Sequence, residues 1–143
     1  MKIKIKRFDK ALPLPSKQTV GAAAFDLTAR EEVIIAPGKV GYVPANIALE
    51  TPLGYFLLVA ARSSTHKKGL MLGNGIGIID SDFSGDNDEI KVVCHNFTDQ
   101  PVVVEKGFRI AQGIFLPVPA FEWDEVDELS NKDRGGFGST GNK

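Results

Sequence analysis

Two carboxylates stand two residues apart at the end of an apolar run, in Gly77-Ile78-Ile79-Asp80-Ser81-Asp82-Phe83-Ser84-Gly85. On an extended chain residues i and i+2 point the same way, so Asp80 and Asp82 face one side if the strand continues. The segment suits a polar turn in which an Asp bonds its own backbone. It equally suits a carboxylate that orients a water as general base beside a polyanion. Arg62-Ser63-Ser64 follows the apolar run Phe56 to Ala61 and sets a cation and two hydroxyls where a strand ends. A guanidinium there grips phosphate bidentately and Ser donates to an oxygen, or the three residues form a cap or loop. Ala23-Ala24-Phe25-Asp26-Leu27 places an Asp in an apolar stretch, where it needs a partner or caps a turn. Gln112 interrupts the apolar strand Ile110 to Phe115, where a satisfied structural amide is the default reading.

Other chemistries lack their residues. His66 and His95 are far apart, with no Cys or His at ligand spacing, which speaks against zinc. There is no Gly-x-Ser-x-Gly elbow and no Gly-x-x-x-x-Gly-Lys-Ser/Thr, so the hydrolase elbow and P-loop patterns are absent. With 17 Lys+Arg against 18 Asp+Glu and a pI near 6.1, no net basic field serves sequence-independent nucleic-acid binding. A polyanion must be held locally.

These residues need a scaffold, and the punctuation of the chain predicts an all-β one. At 143 residues the chain is expected to be one domain with a real core. Ile3 and Ile5 alternate with Lys2, Lys4 and Lys6, a period-2 strand with one wet face. Val33 to Ile35 precedes Ala36-Pro37-Gly38-Lys39, whose Pro-Gly pair fits the centre of a type II turn. Further strands are predicted at Val40 to Val43, Ile47 to Glu50, Tyr55 to Ala60, Ile76 to Ile79, Ile90 to His95, Val102 to Glu105 and Ile110 to Leu116. Eight prolines leave few helical windows, with one short turn expected at Ser63 to Lys68. A barrel, a sandwich and a jelly roll all fit this spacing.

Past Pro119 the chain turns acidic at Phe121 to Glu128 and then rich in Gly and hydroxyls at Arg134 to Gly141. Such a tail suits either a mobile linker or an arm whose backbone N–H groups wrap a phosphate. The expected division is residues 1–120 as the β domain and 121–143 as a C-terminal arm with a Gly-rich lid. The single Cys94 makes no internal disulfide, and MKIKIKRFDK lacks the apolar core of a signal peptide. No apolar run approaches the roughly 20 residues of a membrane span. A cytoplasmic protein with no membrane or nucleic-acid partner is expected.

In order and content these segments resemble the five motifs of the homotrimeric dUTPases, from about Gly21 to Gly141. Ala23-Ala24-Phe25-Asp26-Leu27 resembles the first, Arg62-Ser63-Ser64 the second, Gly73 to Gly85 the third, Arg109-Ile110-Ala111-Gln112 the fourth and Gly136-Phe137-Gly138-Ser139-Thr140-Gly141 the fifth. The resemblance implies a distorted jelly roll, or β-clip-type barrel, with an extended C-terminal arm. It implies a homotrimer with active sites at subunit interfaces. The implied reaction is Mg²⁺-dependent hydrolysis of dUTP to dUMP and pyrophosphate, which limits uracil incorporation into DNA and supplies dUMP for thymidylate synthesis. In that likeness Asp80 deprotonates the attacking water. Gly73, Asn74, Gly77 and Ile79 read uracil from the hairpin, and Phe83 packs on the deoxyribose. Arg62, Ser63, Ser64 and Gln112 hold phosphates, and Asp26 acts on Mg²⁺ through water. Arg134, Phe137, Gly138, Ser139 and Thr140 close the lid.

The chain departs from the family pattern at Ala24, where Gly is usual, at Phe83 in place of Tyr, and in a lid motif shortened to Arg134-Gly135-Gly136-Phe137. It also inserts Asp86-Asn87-Asp88 after Gly85. The alternative within the same fold is a dCTP deaminase or a bifunctional deaminase/dUTPase. That chemistry needs a Glu as proton shuttle on the strand after motif three, and Ile90 to His95 has none.

Overall fold

Alternating apolar residues, interrupted every few positions by Gly, Pro or Asn, leave this chain no long segment that can bury a helical stripe. It folds instead as short strands. A computed structural model describes residues 1–143. Its strands are β1 (Lys4–Arg7), β2 (Phe25–Thr28), β3 (Val33–Ile35), β4 (Val40–Pro44), β5 (Ile47–Glu50), β6 (Tyr55–Ala60), β7 (Leu70–Leu72), β8 (Gly77–Ile79), β9 (Lys91–Asn96), β10 (Val102–Val104) and β11 (Arg109–Pro117). One 3₁₀ turn spans Thr65–Lys68.

All strand pairings are antiparallel. They build a four-stranded sheet in the order β2-β11-β6-β8, a three-stranded sheet β4-β9-β7, and the pairs β1-β5 and β10-β3. The whole is a distorted jelly roll. Leu57 and Val59 point inward from β6, Val92 and Cys94 from β9, Leu70 and Leu72 from β7, and these join Leu27, Val43 and Ile110 in one core of 18 buried residues. Burial alone pushes the Cys94 thiol up to about 12, so it packs as a small apolar side chain.

The buried polar side chains are satisfied. Asn96 donates to the Ile35 and Gln100 carbonyls at 2.9 and 2.7 Å and accepts from the Thr98 amide at 2.9 Å, closing the β9–β10 turn. Asn46, held at φ 69°, exchanges bonds with the Asp9 backbone, and its amide donates to Glu89 at 2.9 Å.

The predicted strands all form, with ends shifted by a residue or so. The Pro37-Gly38 turn closes through Lys39 N–H to the Ala36 carbonyl at 3.1 Å, with Gly38 at φ 69°. Two strands escaped the pattern. β7 is only three residues between Gly69 and Gly73, too short to show a period, and β2 carries Asp26 in the middle of its apolar run. No strand follows Pro117, and Phe121, Trp123, Leu129 and Phe137 are exposed. No helix is long and apolar enough to cross a membrane.

Candidate functional site

The anion-facing half of the site is built on three neighbouring strands. In the register of the four-stranded sheet Gln112 lies opposite Asp26 on one side and Ala60 on the other, so the three share a face. Arg62 leaves the end of β6 two residues later. Its backbone amide donates to Thr65 Oγ1 at 2.8 Å, which winds Ser63 and Ser64 into the mouth of the 3₁₀ turn. Its Nε donates to Asp26 Oδ1 at 2.8 Å, while Arg109 Nη1 donates to Asp26 Oδ2 at 3.1 Å. The Asp26 side chain is 11% exposed against 23% for Arg62 and 47% for Arg109. One nearly buried carboxylate thus holds two guanidiniums side by side, leaving a net positive pair with exposed N–H edges. Gln112 Nε2 donates to the Ala61 carbonyl at 2.9 Å, which fixes the amide beside them.

Arg109 is the residue that sequence reasoning passed over as a site member. The available signal was Asp26: a carboxylate in an apolar stretch demands charge compensation, and Arg109 opens the Arg-Ile-Ala-Gln segment.

The second half is the hairpin from β7 into β8 and the turn after it. Gly77 lies against Val59, where an added Cβ would come within 3.2 Å of Val59 Cβ, so a side chain there would have to push β8 and β6 apart by a few tenths of an ångström. β8 is the edge of its sheet, which leaves backbone groups on its outer side unpaired. Such an edge can read a flat base by N–H and C=O groups, with Gly73 and Asn74 in the connecting hairpin and Ile79 at its end.

The strand stops at Ile79. Phe83 N–H bonds the Asp80 carbonyl at 3.2 Å, so the chain turns there and Asp80 and Asp82 do not continue an extended strand. Asp80 stays exposed, near Tyr55, Phe56 and Val118, and Phe83 keeps 41% of its surface open. The inserted Asp86-Asn87-Asp88 closes a tight turn, in which Asp88 Oδ2 accepts from Gly85 N–H at 2.7 Å and Asp88 N–H returns to the Gly85 carbonyl at 3.0 Å. Beyond it Glu89 takes Arg30 Nε and Nη2 at 2.8 and 3.0 Å and so anchors the return of the chain into β9.

The two halves do not meet within one chain. Ile79 is level with Leu57, and Asp80 departs past the start of β6, whereas Arg62 departs past its end. Leu57 to Ala60 alone spans about 10 Å at roughly 3.3 Å per residue, and the two residues lie toward opposite ends of that strand. Arg134, Phe137, Ser139 and Thr140 lie exposed in the arm, with no ion pair or hydrogen bond to either half.

As for a cation, no group of three His, Cys, Asp or Glu stands together. Each Asp26 oxygen already accepts from an arginine, which favours contact with a metal through water over direct ligation. That donor set fits Mg²⁺, which keeps several waters and binds largely through substrate phosphates.

Comparison with known proteins identifies the family. The family model described as dUTPase matches residues 10–141. Deoxyuridine 5'-triphosphate nucleotidohydrolase of Desulfitobacterium hafniense is 46% identical over 147 residues, covering 99% of this chain and 95% of that protein. The crystal structure of dUTPase from Streptococcus mutans superposes with a TM-score of 0.75 at 33% identity, over 83% of this chain and 98% of that one. The Staphylococcus bacteriophage 80alpha dUTPase with dUPNHPP reaches 0.84 at 23% identity over 98% of both chains, a likeness of fold.

Proposed function

We infer the reaction from a settled premise, that the chain belongs to the dUTPase family: it hydrolyses dUTP to dUMP and pyrophosphate in a Mg²⁺-dependent reaction. The observation that carries the assignment of roles is the separation of an exposed carboxylate at a base-reading sheet edge from a paired-arginine cradle at the other end of β6. Each half is unable to work alone, and a homotrimer that sets Asp80 of one copy against Arg62, Ser63, Ser64 and Gln112 of another completes the site.

In that assembly Gly73, Asn74, Gly77 and Ile79 hold uracil by backbone groups, and the Phe83 ring lies on the deoxyribose, leaving no room for a 2′-hydroxyl. Asp80 takes the proton of the water that attacks the α-phosphorus. Its exposure lets it reach a water held between nucleotide and protein, the geometry general-base catalysis requires. Arg62 and Arg109, oriented by Asp26, stabilise charge that grows on the phosphates, and preorganised donors of this kind supply much of the rate. Asp26 would hold Mg²⁺ through water, and the ion would supply neutralisation of the triphosphate's charge. The arm, residues 121–143, lays Phe137 over the base and brings Arg134, Gly138, Ser139 and Thr140 to the terminal phosphate, excluding water.

The test is pyrophosphate release from dUTP with and without Mg²⁺, beside dCTP, dTTP and UTP. Wild type is expected to turn over dUTP alone. Asp80→Asn should bind nucleotide and lose about 10² to 10⁴ in kcat. Undiminished turnover in that variant would remove Asp80 from its role, and ammonia release from dCTP would favour the deaminase.

A further inference from the structure

The two guanidiniums of the anion-facing half carry like charge and share one carboxylate, so their spacing needs more than Asp26 to fix it. The one bond between the arginines themselves, from Arg62 Nη1 to the Arg109 carbonyl, is long at 3.4 Å. Arg109 is aimed by a bulge. The register of β11 slips between Arg109 and Ala111, and the extra residue lets Ile110 and Ala111 enter the core in succession while Arg109 stays on the side of Asp26. The turn before it is anchored. Gly107 N–H donates to the Ala29 carbonyl at 2.8 Å, Ala29 N–H donates to the Phe108 carbonyl at 2.8 Å, and Phe108 N–H closes on the Glu105 carbonyl at 3.1 Å. Residues 105–108 are thus a fixed platform from which Arg109 departs.

Arg62 and the two serines depend on a weaker element. The 3₁₀ turn is four residues long, a geometry with poorly aligned bonds, and Ser64 at its mouth makes no side-chain cap. Its far end is fixed, because Phe97 N–H donates to the Gly69 carbonyl at 3.2 Å and an added Cβ at Gly69 would lie 2.5 Å from Thr98 Cγ2. The mouth is free to pivot about that end unless something ties the turn sideways. Lys68 is the tie. Its ammonium stands 3.0 Å from Glu105 Oε2 and 4.4 Å from the centre of the Phe108 ring, and its side chain is only 22% exposed. The same ammonium holds the Glu105 carboxyl below its ordinary value. One lysine therefore makes a second bridge between the segments that Asp26 joins through Arg62 and Arg109.

We propose that Lys68 is a positioning residue for catalysis: by tying the 3₁₀ turn to the Glu105–Phe108 platform it sets the distance between the phosphate donors of Arg62, Ser63 and Ser64 and the guanidinium of Arg109. It touches no substrate itself. The proposal rests on the phosphate-holding role given above to Arg62 and its neighbours. An ion pair with so exposed a carboxylate adds little to stability, so its loss is felt in the geometry of the cradle.

The test compares Lys68→Met, Lys68→Arg and Arg62→Ala in the full chain. Lys68→Met is expected to lower kcat for dUTP by about 10- to 100-fold, the cost of misplacing phosphate donors by up to about an ångström. Its affinity for a non-hydrolysable dUTP analogue should fall about tenfold, against less than about twofold for dUMP, which presents one phosphate instead of three. Lys68→Arg keeps a cation over the ring and should retain most of the turnover. A loss shared equally by dUMP and the analogue, or one that tracks a lowered unfolding midpoint, marks a merely structural contact and overturns the proposal. Unchanged kcat in Lys68→Met beside an inactive Arg62→Ala also overturns it, and leaves the role of Arg62 standing. Undiminished turnover in Arg62→Ala removes that role and the proposal with it. Should Lys68→Met fail to fold, Glu105→Ala, at a side chain 58% exposed, decides by the same split between analogue and dUMP.

Discussion

Two inactive proteins should rebuild an active one. Asp80→Asn removes the proposed base without touching the core, because Asp80 is exposed and its recorded bond is through the backbone carbonyl. Arg62→Ala removes the other half, and Asp26 keeps Arg109 at 3.1 Å, so no bare carboxylate is left behind. Each variant is expected below about 1% of wild-type turnover, given that a base contributes about 10² to 10⁴ and a charge-stabilising donor about 10² to 10³. Because Asp80 and Arg62 sit beyond opposite ends of β6, an intact site draws them from different copies. In equal, randomly mixed oligomers a site receives its Asp80 from the Arg62→Ala parent half of the time. It receives its Arg62 from the Asp80→Asn parent half of the time, so roughly one quarter of all sites are intact. Joint refolding, or co-expression with two affinity tags, followed by pyrophosphate detection, should therefore recover about 25% of wild-type turnover, at least tenfold above either parent. Mixtures that show only the mean of the two parents would refute the separation argument, since a site completed within one chain cannot be complemented.

Other outcomes follow from the interior. Glu89→Gln should lower stability by about 2 kcal/mol in urea unfolding, since breaking a buried pair costs about 3 to 5 and Arg30 keeps some contact with water; Lys4→Met, at the exposed Lys4–Glu50 pair, should leave the midpoint unchanged. Cys94, with its thiol pushed up to about 12 by burial, should resist iodoacetamide at pH 8, where only about 10⁻⁴ is thiolate, and label fully on unfolding; rapid labelling of folded protein would refute its burial. Lys106 and the Ala11 amide hold the Asp9 carboxyl below its ordinary value. That stabilisation is present above the unfolded value of about 4 and is lost as pH falls through the lower folded one. The stability gap between wild type and Asp9→Asn should therefore be constant near neutrality and vanish on the acid side; a gap that persists at low pH would show another origin.

Local chemistry was readable from the chain alone. Alternation is a property of neighbouring residues, so the strands at Tyr55–Ala60 and Lys91–Asn96 and the Pro37-Gly38 turn could be placed without any partner, and the segments around Asp26, Arg62, Asp80 and Gln112 stood out by residue type and order. Whatever depends on register between distant strands could not be read this way. Arg109 and Asp26 are 83 residues apart, and only the β2-β11 pairing makes them partners. That Asp80 turns away at Ile79 comes from the bond of Phe83 N–H to its carbonyl, and that it lies toward the opposite end of β6 from Arg62 comes from the antiparallel β6-β8 register. Nor could the sequence show that Tyr42, Met71 and Phe97 come to stand together on the exposed side of β4-β9-β7. Period two tells which residues share a face, and only packing of the whole chain tells which face is left without a cover.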